Sequence, residues 1–180
     1  VSEQGVKTAA VIGGGFIGLE TAENLRRAGL EVTIVEMLDQ VMAPLDFEMA
    51  LLLQENMIQN GVKLELDDAV SSFAETESGI DITLGSGKVI SAELAVLSVG
   101  VRANSELAEA AGLEVNARGG IVTDEYLRTS DSDIYAVGDV IEVEDLIFRD
   151  RTMVPLAGPA NKQGRIAADN IAGGSERYTG

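Results

Sequence analysis

Three glycines near the start of the chain have the spacing that binds a pyrophosphate. Gly13, Gly15 and Gly18 form a GxGxxG pattern, with Gly14 between them, directly after the apolar stretch 8–12. In a strand–turn–helix, the first glycine allows a tight turn and the second lets the backbone approach the phosphates. The third lets the helix pack closely on the sheet, and the helix N-terminus attracts the negative charge. The pattern predicts a dinucleotide site.

A glutamate further along the chain indicates which dinucleotide binds. Glu36 ends the β-branched run 31–36 and follows Gly18 by 36 − 18 = 18 positions, close to the ~20 expected for the acid that binds the adenosine ribose. A carboxylate there would repel a 2′-phosphate, and residues 37–39 include no arginine. We therefore predict NAD(H) rather than NADP(H). The alternative interpretation is a structural turn followed by a solvated strand-end glutamate.

The elements that position these residues follow from the hydrophobic pattern. The pattern predicts helices over 16–29 and 47–60, and strands over 8–12, 31–36, 62–66, 69–75, 80–84 and 89–98. The predicted buried stripe of the second helix contains Phe47, Ala50, Leu51, Met57 and Ile58. The apolar run 94–97 is typical of a strand covered on both faces. Together these elements predict a three-layer α/β Rossmann-like domain with a parallel sheet and an antiparallel β-meander.

A second motif lies in the later part of the chain. The apolar run from Ile134 predicts a strand that ends in Gly138 and Asp139. A carboxylate at the carboxyl end of a buried strand can accept hydrogen bonds from sugar hydroxyls, because open α/β sheets bind ligands at that edge. The alternative is a carboxylate that only caps a turn. The acidic stretch 139–150 predicts an irregular solvated loop rather than a metal site.

Composition excludes several classes of function. The formal net charge of −17 disfavours nucleic acids and anionic membranes as partners, because both bind cationic surfaces. No apolar run is long enough to span a bilayer, so we expect a cytoplasmic protein with a small-molecule substrate. The chain has no cysteine and no histidine. This absence excludes disulfides, thiolate nucleophiles and imidazole acid–base chemistry, so we expect a bound cofactor, or residues outside these 180, to carry the chemistry.

The order of five sequence blocks resembles that of the pyridine nucleotide-disulfide oxidoreductases, flavoenzymes that bind two dinucleotides. The blocks are residues 11–20, Glu36, residues 98–102, residues 129–139 and residues 155–165. The last block is most similar to the branch of coenzyme A-disulfide reductases, NADH oxidases and NADH-dependent persulfide reductases. The resemblance covers nearly the whole chain.

The resemblance implies roles for residues around the nicotinamide. It agrees with Glu36 as the ligand of the adenosine ribose of NADH. Phe16 matches the aromatic residue that covers the nicotinamide pocket, and Ile17 matches its neighbour in the lining. Gly100 matches the glycine where the chain returns beside the nicotinamide. Glu20 matches a carboxylate near the nicotinamide and the flavin, which makes it the one catalytic candidate, although an acid is also favourable in a first helical turn for electrostatic reasons alone.

The resemblance also implies a flavin site. Gly138 and Asp139 match the segment that binds the ribityl chain of FAD. Ala157 and Gly158 match the start of a helix whose N-terminus faces the pyrimidine edge of the flavin. A helix N-terminus there would stabilise the negative charge of the reduced flavin.

The family pattern contains parts that these 180 residues lack, namely a first FAD-binding GxGxxG, a redox-active cysteine and a dimerisation domain. We therefore expect residues 1–102 to be the NAD(H)-binding domain and residues 103–180 to be the second half of the FAD-binding domain, inactive by themselves. The full-length protein is expected to be a homodimer that passes hydride from NADH to FAD, and on to a disulfide, persulfide, peroxide or oxygen. The alternatives are a non-enzymatic NAD(H)-sensing domain and a methyltransferase.

Overall fold

The computed structural model describes residues 5–180; the first four residues, which the predicted first domain includes, lie outside the described part. The chain divides into two compact units, of which one ends at Gly100 and the other runs from Val101 to Gly180. The first unit contains β1 (Thr8–Ile12), α1 (Phe16–Arg27), β2 (Glu31–Val35), α2 (Phe47–Gln59), β3 (Val62–Glu65), β4 (Val70–Thr76), β5 (Gly79–Leu84), β6 (Val89–Ala92) and β7 (Leu94–Leu97). The second contains α3 (Glu106–Ala110), β8 (Ile121–Val122), β9 (Ile141–Glu144), β10 (Arg151–Thr152) and α4 (Ala157–Ile171).

The first unit is built on a four-stranded parallel sheet in the order β3-β2-β1-β7. Ile12 at the end of β1 pairs with Val35 of β2 on one side and with Leu97 of β7 on the other. The carboxyl ends of these three strands therefore meet at one edge. β7 is an edge strand. Its Leu94 and Val96 pack on one face of the sheet and its Ala95 on the other, so residues 94–96 are covered on both faces as expected, whereas Leu97 is 64% exposed.

Side chains of the sheet alternate between two cores, as the pleat of a β-strand requires. The first core packs the sheet against α1 and α2 and contains Ala9, Val11, Ala22, Leu30, Val32, Ile34, Met57 and Val62. The second packs the opposite face against the antiparallel meander β4-β5-β6 and contains Ala10, Ile12, Val35, Ile82, Leu84 and Ala92. The predicted three-layer α/β architecture is confirmed.

The buried face of α2 is narrower than predicted. It consists of Ala50, Gln54 and Met57, which follow one another at the i, i+4, i+7 spacing of a single helical stripe. Three residues of the predicted stripe are instead exposed, namely Phe47, Leu51 and Ile58. Gln54 is tolerated inside because its side-chain oxygen accepts the Val41 N–H at 3.2 Å.

The second unit packs α3 and α4 around a small three-stranded sheet in the order β10-β9-β8. Strands β8 and β9 are parallel, whereas β9 and β10 are antiparallel. Its core contains Ala108, Ile121, Leu127, Ala136, Ile141, Val143, Ile166 and Ala167. Across residues 5–180, no helix is both long and apolar enough to cross a membrane.

Two expectations for the second unit were wrong. The run 134–139 is not a regular strand, because its single ladder contact is an isolated bridge between Tyr135 and Arg128. The chain turns at Gly138, whose carbonyl accepts the Ile141 N–H at 3.2 Å. The next regular strand along the chain is β9, which lies inside the stretch 139–150 that was predicted to be an irregular loop. Ile141 and Val143 of that strand are buried, and the glutamates that alternate with them concealed this pattern in the sequence.

Candidate functional site

The glycine turn after β1 has no room for side chains at two of its positions. Gly13 has φ +107°, and a Cβ there would overlap the carbonyl of Ser98 at the end of β7. A Cβ on Gly18 would overlap the carbonyl oxygen of Gly13. The glycine turn, α1 and the end of β7 are therefore in direct contact at these glycines.

The outer side of the same turn is open. A Cβ on Gly15 would have no heavy atom within 4 Å. The helix closes with the Leu19 N–H donating to the Gly15 carbonyl at 3.0 Å, which leaves the N–H groups of Phe16, Ile17 and Gly18 without an intrahelical acceptor. The side chains of Phe16 and Ile17 are exposed beside this opening. Free N–H groups at a helix N-terminus bind anions.

The glutamate at the end of β2 contacts the turn directly. Its Oε2 accepts the Gly14 N–H at 2.6 Å, and its Oε1 accepts the Leu38 N–H at 3.0 Å. Each oxygen of the half-buried Glu36 carboxylate retains a lone pair, because a carboxylate oxygen can accept two hydrogen bonds. The structure thus brings the predicted ribose-binding acid and the glycine turn into one site.

The loop after β2 packs on the inner side of the turn, which the sequence did not indicate. The Met42 N–H donates to the Gly14 carbonyl at 2.8 Å. A Cβ on Gly14 would lie 3.1 Å from Cγ1 of Val41 and 3.2 Å from Oε2 of Glu36. Val41 and Met42 are buried. Gly14 is therefore surrounded by protein, in contrast to the open position of Gly15.

The remaining candidates of the first unit lie at its surface. Glu20 is exposed and borders a groove between α1 and α2 together with Glu23 and Arg27. Gly100 is exposed and has φ +107°, and a Cβ there would meet open space. The segment just before it contacts the turn, since a Cβ on Gly13 would be 3.4 Å from the Val99 nitrogen.

A buried hydroxyl beneath the turn was not among the sequence candidates. The Oγ of Ser98 is inaccessible to solvent and has no hydrogen-bond partner among the described residues. A Cβ on Gly18 would lie 3.6 Å from the Cβ of Ser98, which places this side chain where α1 meets the end of β7. An unpaired buried polar atom is rare in folded proteins.

The second unit has its own glycine turn. Gly138 has φ +86°, and its N–H donates to Oε1 of Gln163 at 2.7 Å. Asp139 is exposed and borders a cavity of about 370 Å³ that Arg102 and Pro155 also line. Gln163 lies within the sequence block 155–165, but no periodicity or spacing assigned it a role.

The helix predicted to begin near residue 157 is confirmed as α4. Its first closing bond is donated by the Ala160 N–H to the Leu156 carbonyl at 3.2 Å. Pro159 has no N–H, and its fixed φ suits the first turn of a helix. The N–H groups of Ala157 and Gly158 therefore have no intrahelical acceptor. The N-terminus of α4 can therefore donate hydrogen bonds to an electron-rich group.

A charged pair connects the adjacent strands β9 and β10. Arg151 Nε contacts Glu142 Oε1 at 2.7 Å, and Asn116 Nδ2 donates to Glu142 Oε2 at 2.6 Å. Burial raises the pKa of Glu142, but the hydrogen bonds from Arg151 and Asn116 outweigh it and lower the pKa below the ordinary 4.5. The second guanidinium branch of Arg151 also donates to the Thr123 carbonyl at 2.9 Å.

Comparison with known proteins gives matches along almost the entire chain. The family model described as "Pyridine nucleotide-disulphide oxidoreductase" matches residues 1–164. An NADH oxidase of Methanocaldococcus jannaschii is 36% identical over 99% of this chain and 40% of its own length. The chain thus spans about two fifths of that relative.

Two solved structures are also similar. The NAD-dependent persulfide reductase of A. fulgidus is 40% identical, with a TM-score of 0.95 over 99% of this chain and 33% of its own. The reduced CoADR-RHD of Bacillus anthracis is 47% identical, with a TM-score of 0.93 over 99% of this chain and 32% of its own.

Proposed function

Because the chain belongs to the pyridine nucleotide-disulphide oxidoreductase family, we propose that it is the NAD(H)-binding part, with the second half of the FAD-binding part, of an FAD-dependent oxidoreductase. Residues 1–102 would form the first part and residues 103–180 the second. The names of the relatives support this proposal, since one is an NADH oxidase and another an NAD-dependent persulfide reductase.

The first unit fits a dinucleotide at its glycine turn. The open position at Gly15 leaves room for a pyrophosphate close to the backbone, and the free N–H groups of Phe16 and Ile17 would bind it. The observation that carries the proposal is the Glu36 carboxylate, bonded to the Gly14 N–H at 2.6 Å. Its remaining lone pairs would accept the two ribose hydroxyls.

The same carboxylate favours NAD(H) over NADP(H). A 2′-phosphate at the ribose would lie beside the negative charge of Glu36. The neighbouring Met37 and Leu38 offer no positive charge. None of the ion pairs formed within residues 5–180 involves Glu36, so no Lys or Arg of these residues neutralises its carboxylate.

The second unit fits part of a flavin site. Asp139 would accept hydrogen bonds from the ribityl chain of FAD, in a position fixed by Gly138. The N–H groups of Ala157 and Gly158 would lie against the pyrimidine edge of the flavin. Their contribution is electrostatic, since a helix N-terminus stabilises negative charge that develops on a bound group.

When bound, NADH and FAD would supply the redox chemistry, a hydride transfer from nicotinamide to flavin. Phe16, Ile17 and Gly100 would line the nicotinamide pocket and exclude water from it, and Glu20 would lie close to the reacting rings. Electrons would leave through a cysteine outside these 180 residues, to a disulfide, persulfide, peroxide or oxygen. We further propose that the full-length protein is a cytoplasmic homodimer acting on a small-molecule substrate.

The proposal is tested on the full-length protein after removal of any bound flavin, so that NADH is not oxidised during the experiment, by titrating NADH and following its fluorescence. Replacing Glu36 by Ala removes the ribose ligand and leaves the Gly14 N–H without its acceptor, so NADH binding should weaken by about 1–3 kcal/mol, roughly 5- to 150-fold. Glu36→Gln keeps an acceptor oxygen and should have a smaller effect.

Glu65 provides the matched control, because it ends the neighbouring strand β3 and pairs with Lys88 at 2.6 Å. Glu65→Ala should leave NADH affinity within about twofold, as is usual for a surface substitution. An unchanged affinity in Glu36→Ala would remove Glu36 from the site. A full-length protein that binds NADH but neither contains FAD nor oxidises NADH would favour the sensing alternative.

A further inference from the structure

One buried amide connects the two segments of the second unit that are proposed to bind FAD. Gln163 is 1% exposed, and its Oε1 accepts the Gly138 N–H at 2.7 Å. A primary amide is costly to bury unless it is hydrogen-bonded, and an aliphatic residue would suit this helical position by hydrophobicity alone. The role of the polar Gln163 side chain is therefore to bind the backbone N–H of Gly138.

The contact fixes a turn whose geometry determines where a functional carboxylate lies. Gly138 adopts φ +86°, and Asp139 follows it directly into the cavity of about 370 Å³. The turn also packs on the helix, since a Cβ on Gly138 would lie 3.8 Å from the Cβ of Ala160. Ala160 and Gln163 are three residues apart and share one face of α4.

We infer that Gln163 is a positioning residue for FAD. It fixes the Gly138 turn to α4, so that Asp139 and the first N–H groups of the helix are both in place to bind the cofactor. Gln163 itself acts through the turn and does not contact FAD. This inference rests on the proposed function, because it takes the second unit to be part of the flavin site. Loss of the amide should release the turn, and FAD would then have to order it on binding.

The test uses the full-length protein after removal of its flavin, titrated with FAD and followed by quenching of flavin fluorescence. Gln163→Met has a similar length and no comparable acceptor, and it should weaken FAD binding about tenfold, because the partly buried Gly138 N–H loses its acceptor. Gln163→Glu keeps an acceptor oxygen and, protonated by burial, should stay within about twofold of wild type. NADH affinity should be unchanged in both variants.

Asn170 offers a matched control on the same helix. It is 5% exposed, donates to the carbonyls of Tyr126 and Glu176, and accepts the Glu176 N–H. Asn170→Leu should lower the stability of the second unit and leave FAD affinity within about twofold. Hydrogen exchange at the Gly138 amide, measured without flavin, should accelerate in Gln163→Met and remain unchanged in Asn170→Leu.

Three results would overturn the inference. One is wild-type FAD affinity in Gln163→Met with an unchanged exchange rate at Gly138. Another is an equal loss of FAD affinity in Asn170→Leu, which would point to general destabilisation. The third is equal loss in Gln163→Glu and Gln163→Met. A wild-type protein that binds NADH but no FAD would instead remove the flavin part of the proposed function, and this inference with it.

Discussion

The two units each contain a glycine turn whose N–H is bound by a side-chain oxygen. In the first, Gly14 donates to the Glu36 carboxylate at 2.6 Å, and in the second Gly138 donates to the Gln163 amide at 2.7 Å. The first acceptor is charged and half-buried, and it retains lone pairs for a ligand. The second is neutral and buried, and its oxygen accepts a backbone N–H. Under the proposed function, the same contact would combine ligand binding with positioning in the first unit and separate the two roles in the second.

The turns also differ in how closely they are packed. Gly13 lies against the end of β7, so a side chain there would overlap the Ser98 carbonyl, whereas a Cβ on Gly138 would be 3.8 Å from the nearest atom, on Ala160. Lack of space prevents a side chain at Gly13, whereas at Gly138 only the backbone conformation disfavours one. Substitutions at these glycines can separate the two effects.

The largest effect is expected at Gly18. Gly18→Ala places a Cβ on the Gly13 carbonyl oxygen, and the backbone cannot move aside without separating α1 from the sheet. We expect a loss of at least about 3 kcal/mol in the unfolding free energy of the 180-residue chain, measured by urea denaturation followed by circular dichroism. Gly15→Ala is the control, because its Cβ meets open space and should cost no more than about 1 kcal/mol. Equal losses would contradict the packing difference.

The next largest effect is the difference in stability cost between an alanine at Gly13 and an alanine at Gly138. Gly138→Ala meets no overlap, and its cost of about 1 kcal/mol should come from the positive φ alone. Gly13→Ala combines a positive φ with an overlap and should cost about 3 kcal/mol. Both are measured by thermal and urea unfolding. Similar costs would mean that conformation, rather than space, limits both turns.

The smallest effect concerns acid stability. Because the pKa of Glu142 is lowered below 4.5 in the folded state, its stabilising contribution is present above that pH and is lost as the pH falls through the lowered value. We expect Glu142→Gln to reduce the acid-induced loss of stability of the second unit. All three tyrosines, Tyr126, Tyr135 and Tyr178, lie in that unit, so their fluorescence reports on it selectively.

Glu144, also on β9, is the control for this measurement. It forms an exposed pair with Arg149 at 3.2 Å, and exposed pairs contribute little. Glu144→Gln should follow the acid profile of the wild type. An acid profile of Glu142→Gln that matches the wild type would mean that other carboxylates control the acid stability of the second unit.

Local patterns made most of the first unit predictable. The glycine spacing, the β-branched run that ends at Glu36 and the alternation of the meander each depend on neighbouring residues, so α1, β2 and β5 formed where expected. The exposed position of Phe47 was missed because periodicity gives the width of an apolar stripe without showing which part faces the sheet. In the second unit, the acids of β9 hid a strand, and the apolar run from Ile134 formed a turn instead.

The contacts within the two turns were not predictable, for a different reason. The bond from Gly138 to Gln163 spans 25 residues, and that from Gly14 to Glu36 spans 22. Side chains that bind backbone groups so far away leave no periodic signal. The buried Ser98 hydroxyl likewise depends on where β7 ends beside α1. Such contacts emerge only when the tertiary structure is known.

The position of β7 bears on how the glycine turn forms during synthesis. Ala9 of β1 pairs with Leu94, a separation of 94 − 9 = 85 residues, and the turn itself packs on Ser98. Closing so long a loop is entropically costly and slows folding, although the local hairpins of the meander shorten the effective loop. A nascent chain that has emerged only as far as β6 therefore carries the glycine turn in its sequence but lacks the strand that completes it.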